Sequence, residues 1–251
     1  MYYREYPPHP ALAAHVACLW TACVPAVAPG RAHVHRVLPD NCIDILWHDD
    51  GRPAFAVGMM STAIEVLSSA PVRTVAVRFR PGAAGLFLAA PLHVLTDGRA
   101  DLDQLWSRDV TTRLGDRLWD GELNDHQRLE LIEQQLLLRL QAADGDAQGA
   151  GARLVRLALH TLDASDGNVR IEALAAALRV SRQHLAGQFR ERVGLSPKLY
   201  ARICRFRRAT AALKHGLPPD WAQLALECGY FDQSHLIHDF QEFAHCAPER
   251  L

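Results

Sequence analysis

The chain has 251 residues, 49% hydrophobic and 22% charged, with a formal net charge of −1, which suits a soluble globular protein of one large or two small domains. No run of about 18 apolar residues is present. The N-terminus, with Arg4 and Glu5 followed by Pro7, Pro8 and Pro10, lacks the basic-then-apolar order of a signal peptide, so the expectation is a cytoplasmic protein with no membrane partner.

From the N-terminus, residues 34 to 80 carry short runs of strand type, "CIDILW", "AFAV" and "RTVAVRFR". In the last, Val75, Val77 and Phe79 alternate with Thr74, Ala76, Arg78 and Arg80, the period of a half-buried strand. Pro39-Asp40-Asn41, Asp49-Asp50-Gly51 and Pro81-Gly82 punctuate the runs as turns. The pattern turns helical from about Ala83. A capped helix is predicted over 124 to 143, with Leu129, Ile132, Leu136 and Leu140 on one stripe that serves either as core or as the seam of a homodimer. "DGDAQGAGA" (144 to 152) has the composition of a flexible linker. The expected fold is therefore α+β: a β-rich N-terminal sensing or dimerisation domain over 1–143, a linker over 144–152, and an all-α domain over 153–251.

Charge divides along the same line. Residues 152 to 251 hold 14 Lys/Arg against 10 Asp/Glu, whereas the remainder holds 13 against 18, an asymmetry that hints at a polyanion-binding module joined to something else. The last hundred residues also contain an internal repeat. Shifting by 51 residues aligns "SRQHLAGQFRERVGLSPK" (181 to 198) with "DQSHLIHDFQEFAHCAPE" (232 to 249), matching His184 with His235, Leu185 with Leu236, Phe189 with Phe240, Glu191 with Glu242 and Pro197 with Pro248. Each copy opens on an N-cap residue, Ser181 or Asp232, after a short apolar helix and a tight turn. Gly229 supplies a left-handed residue in the second turn, and Arg179-Val180 occupies that stretch in the first. This is the order of a helix-turn-helix, with units over about 171–192 and 221–243. "SPKLYARICRFRRATAALKH" joins them as a helix over about 197–215.

Two such units about fifty residues apart, joined by a helix after "GLSPKLY" and ending in "LALECGYFDQSHLIHDFQEF", resemble the DNA-binding domain of the AraC/XylS family of bacterial transcription regulators. The front half, with "RVLPDNCIDILW" and "VRFRPGAAGLFL", resembles the β-rich N-terminal domain of one group of that family, and by analogy a cupin-like barrel is expected. The resemblance implies a regulator, activator or repressor, that performs no chemistry on duplex DNA. RNA polymerase, a small-molecule effector and a second copy are the other candidate partners. It places the second helix of each unit in the major groove. By position, Gln233, Ser234 and His238 would face base edges, with Gln183 the reader left in the first unit, where the same shift lands on Arg182, Gln183 and Gly187. Gly187 offers no side-chain hydrogen bond. Arg182, Arg190 and Arg202 are the candidates for phosphate contacts, and His184 and His235 are expected to pack internally.

Other readings compete in the front half. His33, His35, Cys42, Asp44 and His48 are the residue types of a zinc or copper site, or of a thiol nucleophile with its base, and would make the chain a metal- or thiol-responsive regulator or an enzyme. Their spacing matches no compact ligand pattern, and the six cysteines (18, 23, 42, 204, 228, 246) show no C-x-x-C pair. The reading therefore assigns no metal, no cofactor and no catalytic residue. A DNA-binding protein without any effector remains the third alternative.

Overall fold

The structure is a computed structural model that describes residues 2–26, 28, 32–143, 149–214, 216 and 220–251. Its front half is built on eight strands: β1 (Tyr2–Tyr6), β2 (Val16–Val24), β3 (His33–Val37), β4 (Ile43–His48), β5 (Phe55–Val57), β6 (Ile64–Ser68), β7 (Val72–Phe79) and β8 (Arg99–Asp101). Six of them form one antiparallel sheet in the order β1-β2-β7-β4-β5-β8, while β3 and β6 pair as a separate ribbon. The expectation of a β-rich front half holds, and its strands are divided between two open sheets.

Side-chain alternation decides which face of the large sheet is covered. In register, Leu19, Val77 and Ile45 lie across three neighbouring strands, and with Phe79, Ile43 and Trp47 they enter the main core. Cys18, Trp20, Ala22 and Ala76 form a small cluster of their own on the other face. A bulge between Val16 and Cys18 sets that phase in β2, since one extra residue exchanges the faces of everything beyond it. On the same outer face Asp44 lies opposite Arg78 and accepts from it through Nε and Nη2, both at 3.1 Å.

Helices α1 (Gly85–Leu88), α2 (Leu102–Leu105), α3 (Arg108–Trp119) and α4 (Asp125–Ala142) follow. A capping box between Asn124 and Gln127 starts α4. Its leucine stripe packs inward: Leu129, Ile132 and Leu136 are buried in the chain's own core. The stripe is therefore not the seam of a homodimer, because burying it once removes it from any second copy.

Of the expected linker, residues 144–148 lie outside the described residues, and 150–152 already belong to helix α5 (Ala150–Ala164). The remaining helices are α6 (Ile171–Ala177), α7 (Arg182–Val193), α8 (Pro197–Leu213), α9 (Trp221–Glu227) and α10 (Gln233–Ala244). Helix α8 starts where expected, with Ser196 as N-cap and Pro197 in the first turn. Its expected end at residue 215 lies outside the described residues. One hydrophobic core runs through both halves. Polar ties reinforce it: Thr96 Oγ1 donates to Gly194 O at 2.6 Å, Asn41 Nδ2 to Tyr200 O at 3.3 Å, and the Ala63 N–H to Phe243 O at 2.8 Å. The front half thus grips α8 and the C-terminal ends of both α7 and α10.

Candidate nucleic-acid interface

Both C-terminal units are the same object built twice. In the first turn the Leu178 N–H donates to Leu174 O (3.0 Å), Arg179 N–H to Ala176 O (3.0 Å) and Val180 N–H to Ala175 O (3.1 Å); in the second, Cys228 donates to Leu224 (2.9 Å), Gly229 to Leu226 (3.0 Å) and Tyr230 to Ala225 (2.9 Å). The turn residue is left-handed in each, Gly229 at φ 81° and Arg179 at φ 57°. Glycine avoids crowding in the second, where a Cβ would sit 3.1 Å from Asn168 Cγ, closer than ordinary van der Waals contact. Arg179 adopts the same conformation at a cost of about 1 kcal/mol, so the missing glycine does not alter the first unit's geometry.

Each second helix is then capped as its sequence predicts. The His184 N–H donates to Ser181 Oγ at 3.1 Å and the His235 N–H to Asp232 Oδ1 at 2.7 Å, satisfying an orphan donor of the first turn. A left-handed residue again ends both helices, Gly194 at φ 99° and His245 at φ 56°. Leu185, Phe189 and Val193 are buried beneath α7, and Leu236, Phe240 and Phe243 beneath α10. Phe206 of α8 meets Phe240 edge-on at 5.0 Å, while Tyr200 of α8 meets Phe189 in the same way at 5.5 Å. The joining helix is thus the shared floor of both units.

The outer faces carry the candidate contacts. On α7, Arg182, Gln183, Gly187 and Arg190 are exposed; on α10, Ser234, His238 and Gln241 form an exposed stripe, with Gln233 half-buried beside it. Arg182 Nη1 pairs with Glu172 at 2.9 Å, but both side chains are solvated, and such a pair contributes little. His238 Nε2 lies 3.5 Å from Glu242 Oε2.

Two expectations need correction. Arg202 is not a phosphate contact: its guanidinium donates to Asp239 Oδ1 at 2.6 Å and Glu242 Oε2 at 2.6 Å and lies over the Phe243 ring. Asp239 is fully buried, and a buried carboxylate holds its cation in place because separating them leaves a desolvated charge. Those hydrogen bonds also hold the Glu242 carboxyl below its ordinary range. His184, expected to pack, is exposed. Its repeat mate His235 is half-buried and meets the Tyr230 ring edge-on at 5.2 Å; the first unit has Val180 at the place of Tyr230, which offers His184 no such ring.

In the front half the five residues of the alternative metal or thiol site are not brought together. His33 and His35 lie on the β3 ribbon, Asp44 is held by Arg78, and His48 Nδ1 shares a hydrogen bond with Thr74 Oγ1 at 2.9 Å. Burial raises the Cys42 thiol far above its ordinary range, the opposite of an activated thiolate. Among the described residues no three His, Cys, Asp or Glu side chains converge as a set of metal ligands, and no helix is long and apolar enough to cross a membrane.

Comparison with known proteins agrees with the doubled unit. Residues 174–251 match the family model of a helix-turn-helix domain, and residues 4–101 match that of a domain of unknown function (DUF6597). The chain is 28% identical over 96 residues to the HTH-type transcriptional regulator MtrA of Neisseria gonorrhoeae, a match spanning 38% of this chain and 32% of that relative. Among solved structures, ToxT from Vibrio cholerae aligns over 100% of this chain and 97% of its own at 11% identity, with a TM-score of 0.44. An unsaturated fatty acid-bound form of ToxT aligns over 88% and 93% at 12% identity, with a TM-score of 0.42. Residues 174–251 thus carry a helix-turn-helix domain of the AraC type, and the chain spans about a third of the length of the curated relative it matches.

Proposed function

We propose that this chain binds duplex DNA in a sequence-specific way and controls transcription, with α7 and α10 entering the major groove at two places on one face of the duplex. The supporting observation is the pair of N-capped helices on the shared floor of α8, each burying its apolar side and turning short polar side chains outward. Gln183 and Gln233 suit adenine, Ser234 either base type, and His238 the acceptors of guanine. Arg182 and Arg190 supply phosphate contacts that position without specifying. RNA polymerase is the partner that a bound activator would engage.

Control is proposed to come from the front half. A cleft of about 1010 Å³ opens between the halves, with Arg36, Asp40 and Arg80 on one side and Tyr200, Cys204 and Arg207 of α8 on the other. Next to it the buried Asn41 ties the front half to α8. A small molecule in this cleft would touch both halves at once and shift the floor on which both readers stand.

The test is recovery of genomic fragments by the full-length protein across a salt series. Enrichment of a common sequence, with affinity falling steeply as salt rises, is the expected result. Failure to retain any duplex at low salt would overturn the reading.

A further inference from the structure

The two units do not repeat at one spacing. From α6 and α9 through the turn the offset is 50 residues, as Arg179 with Gly229 and Val180 with Tyr230 show by their matching hydrogen bonds. From the N-caps Ser181 and Asp232 onward it is 51. The second unit therefore holds one extra residue between turn and recognition helix, Phe231, and it is 85% exposed, more than any other large hydrophobic among the described residues. A hydrophobic residue in front of an N-cap commonly packs back onto the first turn as a staple; Phe231 does not. Its place is set from both sides, by the Tyr230 N–H bonded to Ala225 O and by the Asp232 cap, and Gln233 and Ser234 follow directly.

We propose that Phe231 is a specificity-determining contact whose ring packs against a thymine methyl group at the edge of the site read by α10. The proposal rests on the DNA-binding reading given above. A phenyl ring neither donates nor accepts a conventional hydrogen bond, and the apolar feature that the major groove offers at a base edge is the C5-methyl of thymine. Because the first unit has no counterpart, the thymine preference is confined to the half-site bound by the second.

The experiment takes the duplex that full-length protein selects from a random library and replaces each thymine in turn by deoxyuridine, which removes only the methyl group. Wild type is expected to lose about fourfold in affinity at one or two thymines of a single half-site, the worth of one buried methyl. Phe231→Ala should lose the same factor on the thymine duplex and nothing more on the deoxyuridine duplex, with an unchanged melting curve. Phe231→Leu should keep part of the effect. Wild-type affinity within about twofold at every replaced thymine, or equal deoxyuridine sensitivity in wild type and Phe231→Ala, would overturn the proposal. Loss of transcription by Phe231→Ala with unchanged DNA affinity would overturn it too and assign the ring to a protein partner. If wild type retains no duplex at all, the DNA-binding reading fails and this proposal fails with it.

Discussion

The two helix-turn-helix units share a turn, a cap, a C-terminal left-handed residue and a buried phenylalanine, yet they present different chemistry. On α7 the outer face offers Arg182, Gln183, a bare Gly187 and Arg190; on α10 it offers Gln233, Ser234, His238 and Gln241, with Phe231 at its leading edge. The interior reverses the distribution of charge, because α10 is locked to α8 by an arginine set against two carboxylates. The fold needs only the shared parts, so the rest is open to specialisation. We read the first unit as the one that grips and the second as the one that reads.

The strongest test asks whether the two cores are equivalent. Phe189 and Phe240 are repeat mates, each fully buried and each set edge-on against an aromatic ring of α8. Replacing either by Ala should cost about 3–5 kcal/mol, read as the denaturant midpoint of the full chain with an unchanged slope. A small loss at Phe189 and a large one at Phe240 would mean that the first unit is the looser of the two.

Next in size is the lock. Arg202→Ala leaves the Asp239 carboxylate buried without a cation and should cost about 3–5 kcal/mol, at the lower end because Arg202 itself is partly exposed. The effect depends on pH in a defined direction. The Glu242 pKa is depressed in the folded chain, so its share of stability is present above the unfolded value of about 4.3 and is lost as pH falls through the lower folded value. Urea midpoints measured from neutral pH downward should draw together for wild type and Arg202→Ala as Glu242 is protonated; parallel curves would refute the linkage.

The reading surface comes third. Gln233→Ala and His238→Ala should each relax preference at one or two base pairs by about 1–3 kcal/mol, leaving non-specific binding intact. Arg190→Ala should weaken all sequences alike and lower the salt slope by about one. Binding to selected and random duplexes over a salt series separates the two behaviours. If Gln183→Ala shifts the selected sequence more than Gln233→Ala does, the division between gripping and reading is reversed.

How far the sequence alone reaches follows from where its signals are local. The C-terminal helices were legible because Ser181, Ser196-Pro197 and Asp232 mark their starts chemically and each buries one stripe. Strand β7 was legible by alternation, and β4 as a short apolar run between turn residues. Strand β2 was not, since it is central and buried along most of its length and carries a bulge that breaks its period; β1 was not, since four of its five residues are exposed. The Arg202 lock was misjudged because Asp239 and Glu242 are distant in sequence and only the packing of α10 on α8 unites them. Phe231 was overlooked for another reason: a single shift of 51 hides an extra residue that appears only when the turns are aligned separately.

The smallest predicted effect bears most directly on the comparison. Gly187 lies on the outer face of α7, one turn beyond Gln183 and one before Arg190, so all three share a stripe. A Cβ built there meets nothing within 4 Å, and in a helix interior Ala is preferred over Gly by about 1 kcal/mol. Gly187→Ala should therefore stabilise the full chain by up to about that amount, seen as a small rise in the denaturant midpoint. If α7 grips through Arg182 and Arg190 without inserting deeply, the added methyl touches no DNA, and affinity, salt slope and selected sequence should all stay as in wild type. Weaker binding to every sequence despite the stabilised fold would carry the opposite meaning. It would place the α7 backbone so close to the duplex that only glycine fits, and would make the first unit the deeper of the two in the groove.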